Sequence, residues 1–219
     1  TGNCNWGFDK KTLKLTYNSI IKPTFSHCAP VWAPNAKPSN VKGLQTVQNR
    51  ALRLITGCHL AASEDHLHNE VEILPVQDHI DLISKQFLLS AMRPAHPSHE
   101  VVRRPPGPRT NKHGRPMKET LSSKYGASIE QYLHNGVMSE VTYKRSLQSI
   151  HTEAVSSARS RQGQNPLIKR RPPAVSESED SLPRPFQTTL SQLRSTYCSR
   201  LKSYQLKIRA INNDFAHRV

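Results

Sequence analysis

The sequence lacks several features that define common classes of protein. It has no run of about 18 apolar residues, and residues Thr1 to Lys11 are polar, so neither a membrane-spanning helix nor a secretory signal is predicted. Its four cysteines, Cys4, Cys28, Cys58 and Cys198, are far apart and form no Cys-x-x-Cys pair. This spacing favours reduced thiols in an intracellular protein, nuclear or cytoplasmic, over a disulfide framework.

Signatures of catalysis and of metal binding are also missing. There is no Gly-x-Ser-x-Gly, no His-Glu-x-x-His and no glycine-rich phosphate loop. Histidines His59, His66, His68 and His79 lie near Cys58, but structural zinc sites need paired short spacings that converge on four ligands. We therefore predict no metal, no cofactor and no catalytic activity of this chain alone.

The chain has few acidic residues for its number of basic ones. It contains 31 Lys and Arg against 16 Asp and Glu, a formal net charge of +15. Such an excess predicts an anionic partner, most commonly nucleic acid. An anionic membrane is the alternative, but no continuous basic amphipathic stretch supports it. The predicted partner is an RNA or DNA duplex, including an RNA–DNA hybrid.

Apolar periodicity predicts a mostly α fold that begins with a small helical bundle in residues 1–92. A first helix is predicted over about 9–22, with Pro23 ending it. The clearest helix starts at Ser39 or Asn40 and ends at Gly57. A short helix capped by Ser63 and another from Pro75 to about Met92 complete this unit.

The remainder alternates between extended and helical stretches. Residues 93–116 contain six prolines and little that is apolar, so we predict a disordered basic linker. Weaker helices are predicted in 117–161, then a second linker in 162–185. In 186–219 apolar residues recur every three or four positions and predict a basic amphipathic helix buried on its Leu and Tyr side: Leu190, Leu193, Tyr197, Leu201, Tyr204 and Ile208.

Two motifs carry a resemblance to a known family. The first runs from Leu15 through Tyr17, Ile21, Pro23, Val31 and Trp32 to Leu44, Gln45, Gln48, Leu52, Arg53, Ile55 and Gly57. The second is Leu182-Pro-Arg-Pro-Phe-Gln-Thr-Thr-Leu-Ser-Gln-Leu-Arg194. Both resemble the region that follows the polymerase core in jockey-type non-LTR retrotransposon reverse transcriptases.

The resemblance implies a thumb-like domain in 1–92 and a connector in 117–161, which belong to an RNA-directed DNA polymerase. Its catalytic palm needs paired Asp residues, and no Asp-Asp pair is present in the sequence. The zinc knuckle that normally follows the Gln-Leu-Arg element is not seen either, and the sequence begins at Thr1 rather than Met. We expect a non-catalytic fragment or decayed copy, whose missing palm would be its intramolecular packing partner.

Predicted nucleic-acid contacts lie on two helices, because cations neutralise phosphates and amides can bond to sugar and phosphate. The predicted residues are Lys42, Gln45, Gln48, Asn49, Arg50, Arg53, Arg194, Arg200, Lys202, Lys207 and Arg209. Trp32 and Tyr17 could stack on bases, although a role in the core is favoured. The alternative function is a protein-interaction region or an inert remnant of a transposon reading frame, with no ligand of its own.

Overall fold

A computed structural model of the protein describes residues 7–103, 121–133, 140–162, 177–198 and 201. The regular elements in these ranges are helical, which confirms the predicted mostly α class. In chain order they are α1 (Lys10–Thr16), a π-helical turn (Tyr17–Ile21), α2 (Lys22–Ser26), α3 (Ala29–Trp32), a 3-10 turn (Ala33–Asn35), α4 (Pro38–Thr56), α5 (Glu64–Val71), α6 (Val76–Ala91), α7 (His99–Arg103), α8 (Leu121–Glu130), α9 (Glu140–Arg161), α10 (Glu177–Asp180) and α11 (Arg184–Ser195).

Local signals set several helix ends as predicted. Gly57 has a φ of 70° and follows the last residue of α4, the left-handed conformation that glycine adopts without strain. The Ser63 hydroxyl accepts a hydrogen bond from the His66 amide and caps α5. Pro75 directly precedes α6. The start of α4 lies at Pro38, slightly before the predicted cap, because proline suits the first turn of a helix.

The prediction that Pro23 ends the first helix is wrong. The chain continues helically through Pro23 to Ser26, after a π-helical turn in which the Lys22 amide bonds to the Tyr17 carbonyl. Proline disrupts a regular α-helix because it lacks an amide and its ring meets the carbonyl four residues earlier. A π-helical turn already departs from the four-residue bonding pattern, so the proline is accommodated directly after it.

Among the described residues, the chain divides into two compact units. The first contains residues 7–22, 46–73 and the described part of 161–219. Its interior holds apolar residues from α4, α5 and the π-helical turn, together with the chain after α5: Tyr17, Leu52, Ile55, Leu67, Val71 and Ile73. Tyr17 is 1% exposed and therefore has the core role that the sequence favours.

The second unit contains residues 23–45 and the described parts of 74–160. One apolar cluster joins α6, α8 and α9 through Leu82, Leu88, Leu89, Tyr125, Ile129 and Ile150. Another joins α3 and α6 through Ala29, Ala33, Val76 and Ile80, with Trp32 packed against it. The segment Cys28 to Pro38 is rich in proline, which predicts a loop, yet it contains a helical turn that supplies part of this core.

Both predicted linkers contain ordered structure where they are described. Within 93–116, α7 forms and Val102 packs against the cluster of α6, α8 and α9, so burial outweighs the proline content. Within 162–185, α10 and the start of α11 form. The first unit thus uses residues on both sides of the predicted limit at residue 92. Residues 104–116 and 163–176 lie outside the described part of the chain.

Candidate functional site

Helix α4 carries basic side chains along one side. Lys42 and Arg50 are exposed and Arg53 is half-buried. At about 100° per residue their positions fall within roughly 80° of one another around the helix axis. Cations arranged in this way can follow a line of phosphates, which is the chemistry predicted for this helix.

The predicted amides of α4 are used inside the fold. Gln48 is 2% exposed and its Nε2 donates to the Tyr17 hydroxyl at 2.9 Å. Asn49 is 3% exposed, and Gln45 accepts a hydrogen bond from the first amide of α6, that of Val76, at 2.8 Å. Because their spacing places them beside the apolar core positions, these amides support the fold in this structure. Contact of the α4 residues with nucleic acid remains a prediction.

Arg53 is half-buried and contributes to the structure of the first unit. Its Nη2 donates to the Ala62 carbonyl at 3.4 Å, which ties α4 to the chain just before α5. Its Nε is buried and has no hydrogen-bond partner among the described residues. Lys42 and Arg50 are therefore the better probes of a surface interaction, since their substitution disturbs the fold least.

Arg194 of α11 does not lie open to solvent as the sequence predicts. Its Nη1 donates to Glu70 Oε1 at 2.9 Å and to Glu179 Oε1 at 2.9 Å, and its Nη2 donates to Glu179 Oε2 at 2.8 Å. The two-pronged bond to Glu179 raises the pKa of Arg194 further above its usual value. Arg194 is thus an internal partner of two carboxylates in this conformation.

Glu70 is the centre of this charged cluster, which we define as Lys10, Glu70, Glu179, Ser191 and Arg194. The Glu70 side chain is 1% exposed and accepts from Lys10 Nζ at 2.7 Å and from the Ser191 hydroxyl at 2.8 Å. Burial opposes its ionisation, but the neighbouring Lys10 and Arg194 outweigh that effect and lower the pKa of Glu70. Glu70 is therefore a buried carboxylate held in its charged form.

Sequence reasoning missed Lys10, Glu70 and Glu179. One local signal was present for Glu70, because it follows the buried residues His66 and Leu67 by four and three positions and so shares the inner face of α5. A carboxylate there needs a cationic partner. Nothing local identifies that partner, since Lys10 is 60 positions away and Arg194 is 124.

Helix α11 buries the opposite side from the one predicted. Its buried residues are polar, namely Arg184, Gln187, Thr188, Ser191 and Ser195, whereas Leu193 is 38% exposed. The helix also ends at Ser195, where Thr196 adopts a φ of 68°, so the predicted stripe does not continue along it. The charged cluster explains the reversal, because Glu70 requires hydroxyl and cationic partners that only this polar side supplies.

The polar side of α11 also satisfies the end of α4. Arg184 donates to the carbonyls of Leu54 and Ile55 at 2.7 and 2.6 Å, and Gln192 donates to the Gly57 carbonyl at 2.8 Å. The last carbonyls of a helix have no partner within it, so these donors complete the C-terminus of α4. The other predicted contacts, Arg200, Lys202, Lys207 and Arg209, lie outside the described residues.

The histidines considered for metal binding have other partners. His66 Nε2 donates to the Ser191 carbonyl at 3.3 Å, and His68 Nδ1 bonds to the Ile73 carbonyl at 2.8 Å. Across the ranges that the structure describes, no three His, Cys, Asp or Glu residues gather as a metal site would require. None of the helices there has the length and apolar character of a membrane span.

His66 makes the first unit sensitive to acid. Burial lowers its pKa below the ordinary value of 6.5, and Lys10 and Arg194 act in the same direction while Glu70 and the Ser191 carbonyl oppose it. The unfolded chain then binds a proton more readily, so stability falls as pH drops below about 6.5. We expect the free energy of unfolding of His66→Gln to fall less between pH 6.5 and pH 5 than that of the parent chain. Urea unfolding across this pH range measures the difference.

The exposed His59 supplies the control for this measurement. His59→Gln should keep the pH dependence of the parent chain over the same range. Glu70 also has a lowered pKa, but its stabilisation is lost only below about pH 4.5, so the two contributions separate. Identical pH profiles for His66→Gln and His59→Gln would contradict the assignment to His66.

Comparison with known proteins relates part of the chain to a transposon enzyme. It is 31% identical over 104 residues to the probable RNA-directed DNA polymerase from transposon X-element of Drosophila melanogaster. The match covers 42% of this chain and 11% of that protein, so the chain corresponds to a small part of its relative. No family model and no solved structure matches the sequence. The chain thus contains a region related to transposon reverse transcriptases, as the motifs predict.

Proposed function

We propose that this chain is the thumb and connector region of a jockey-type retrotransposon reverse transcriptase, and that it binds the template and primer duplex through α4. The 31% identity to a transposon RNA-directed DNA polymerase carries the proposal. The net charge of +15 and the exposed Lys42 and Arg50 on one side of α4 support it. Catalysis is assigned to a palm elsewhere in the full polypeptide, since no Asp-Asp pair occurs in this sequence.

Binding in this proposal is electrostatic. Lys42 and Arg50 are long, exposed side chains that reach phosphates on successive positions of a duplex, and each contact releases condensed counterions. Such contacts hold the duplex without reading its bases. Gln45 and Gln48 form hydrogen bonds within the fold and contribute indirectly. Their bonds fix the rotation of α4 about its axis, and that rotation determines which side of the helix faces the duplex.

The salt dependence of binding tests the role of α4. We expect the double variant Lys42→Gln, Arg50→Gln to bind an RNA–DNA hybrid about tenfold more weakly at moderate salt. The slope of log K against log salt concentration should become shallower by about 2, close to one unit for each lost phosphate contact. Fluorescence anisotropy across a salt series measures both quantities.

Two exposed cations of α9, Lys144 and Arg145, give a charge-matched control. The variant Lys144→Gln, Arg145→Gln loses the same charge from a different helix and should keep most of the affinity. Equal losses in the two double variants would show that binding follows net charge alone. No loss in the α4 variant would remove α4 from the interface.

A second candidate is a protein-interaction region, and a specific observation favours it. In the first unit several large apolar side chains are exposed, among them Leu15 at 65%, Ile20 at 64% and Phe186 at 61%. Apolar side chains exposed in this way are available for contact with another protein or domain. Within the full polymerase the palm would be that partner. Binding of duplexes no better than by a charge-matched unstructured peptide would favour this second function.

A further inference from the structure

Helix α10 places a carboxylate in a site with the geometry of an anion receptor. Glu179 receives two nearly parallel hydrogen bonds from Arg194, at 2.9 and 2.8 Å, and lies 3.7 Å from Lys10 Nζ. A guanidinium fork with a nearby ammonium is the arrangement by which proteins hold either a carboxylate or a phosphate. The same two cations could therefore accept a phosphate in place of Glu179.

The segment that carries Glu179 is short and makes several polar contacts with α11. α10 has four residues, too few for a helix that is stable by itself. The Glu179 residue is 6% exposed, whereas its neighbour Ser178 is exposed and Asp180 is half-buried. The Gln187 amide reaches the carbonyls of Glu179 and Asp180 at 3.3 and 3.2 Å, near the long end of the hydrogen-bond range. The charged bonds from Arg194 to Glu179, at 2.9 and 2.8 Å, are shorter than these and attach α10 to α11.

The charges of the cluster favour replacement of the Glu179 carboxylate by another anion. With Glu179 in place, two cations face two carboxylates. Removal of Glu179 leaves Glu70 alone with Lys10 and Arg194, a net charge of +1 by the same count. The Glu70 side chain is 1% exposed and stays in the interior, whereas that of Arg194 is 16% exposed and lies nearer the solvent. The guanidinium of Arg194 is the group that an incoming anion can reach.

We infer that Glu179 occupies an anion site, formed by Arg194 and Lys10, that a backbone phosphate of nucleic acid takes over when α10 detaches. This inference rests on the proposed binding of nucleic acid and adds a second contact point, on α11. We call Arg194 and Lys10, which Glu179 covers in the ligand-free chain, the guarded site. It also reconciles the predicted role of Arg194 with its internal ion pairs: the residue binds Glu179 in the ligand-free chain and phosphate in the complex.

The test compares two variants that each remove one negative charge from neighbouring positions. Glu179→Gln weakens the competing internal anion, and we expect it to bind an RNA–DNA hybrid about tenfold more tightly than the parent chain. Asp180→Asn changes net charge equally and should alter affinity by less than about twofold. Equal gains in the two variants would overturn the inference, because net charge alone would then explain them.

The gain in affinity of Glu179→Gln must depend on Arg194. The double variant Glu179→Gln, Arg194→Ala should lose the tenfold increase, and its slope of log K against log salt should be shallower by about 1 than that of Glu179→Gln. Arg194→Lys in the same background should keep the charge but recover only part of the affinity, because an ammonium cannot form the two-pronged bond. A gain that persists without Arg194 overturns the inference. Circular dichroism melting of each variant shows that it is folded.

Hydrogen exchange of the unmodified chain gives an answer that does not depend on any variant. The Leu182 amide donates to the Glu179 carbonyl at 3.1 Å, and it should exchange faster when the hybrid duplex is added, while amides within α11 do not. Unchanged or slower exchange at Leu182 in the bound state overturns the inference.

The outcome is separable from that of the α4 proposal. Loss of affinity in Lys42→Gln, Arg50→Gln with no difference between Glu179→Gln and Asp180→Asn leaves α4 as the interface and removes the guarded site. The reverse result keeps the guarded site and removes α4. If neither Glu179→Gln nor the parent chain binds the hybrid, the inference of the guarded site is overturned as well.

Discussion

Replacement of Glu70 by glutamine is expected to lower the free energy of unfolding by about 3–5 kcal/mol, the usual cost of breaking a buried charge cluster from one side. Glutamine has the same shape but no charge, so Lys10 and Arg194 would share only the carboxylate of Glu179. The Lys10 side chain is 5% exposed and cannot recover its hydration without moving. Urea unfolding followed by circular dichroism measures the difference.

Glu72→Gln is the matched control for this substitution. Glu72 lies two residues later, its side chain is 46% exposed and its Oε2 lies 4.0 Å from Lys14 Nζ, so the same chemical change there should cost less than about 0.5 kcal/mol. A second variant identifies the source of the loss. If it comes from an uncompensated cation, Glu70→Gln with Lys10→Met should be more stable than Glu70→Gln alone. Equal effects at Glu70 and Glu72 would contradict the central role of Glu70.

Substitution of Gly57 by alanine is expected to destabilise the first unit by about 2–5 kcal/mol, a sum of backbone strain and steric overlap. The left-handed conformation at a φ of 70° costs an alanine about 1–2 kcal/mol. A Cβ there would also lie 2.5 Å from Thr188 Cγ2 and 2.8 Å from its Oγ1, far inside van der Waals contact. Relief of that overlap by movement of α11 should cost about 1–3 kcal/mol more. Thermal and urea unfolding of the variant measure the loss.

Gly43, which lies within α4, provides a control with the opposite sign. A Cβ added to Gly43 would have no atom within 4 Å apart from its chain neighbours and the backbone of its own helix, so Gly43→Ala should stabilise the helix by about 0.5–1 kcal/mol. Adding Thr188→Ala to Gly57→Ala removes the overlapping atoms and should restore the steric part of the loss. No recovery in that double variant would mean that conformation alone, and not the approach of α11, explains the glycine.

Local chemistry explains which parts of the fold the sequence could predict. The helix ends at Gly57, Ser63 and Pro75 depend on the conformation or hydrogen bonds of one residue, so they can be recognised without knowledge of the rest of the chain. Pro23 has an equally strong local preference, but the preceding π-helical turn overrides it, and no pattern of apolar residues announces such a turn.

The candidate site could likewise be predicted only in part from the sequence. Exposure of Lys42 and Arg50 follows from their place opposite the apolar side of α4 and could be predicted. The buried side of α11 could not, because its Leu spacing is helical but its surroundings are set by Glu70 of α5. When a buried carboxylate needs donors, a face with Ser191 and Arg194 packs better than a face of leucines. Periodicity identifies the helix, and the partner decides which side is buried.

The three-part construction of the first unit has a consequence for its biosynthesis. The Lys10 amide bonds to Gln187, a residue 177 positions later in the chain. At about 5–20 residues per second, α1 would leave the ribosome roughly 10–35 s before α11 is available to pair with it. During that interval Glu70 and Lys10 lack the other members of their charged cluster, which come later in the chain. Chaperone capture of nascent chains should therefore be greatest before residue 184 emerges and should decline once α11 has been made.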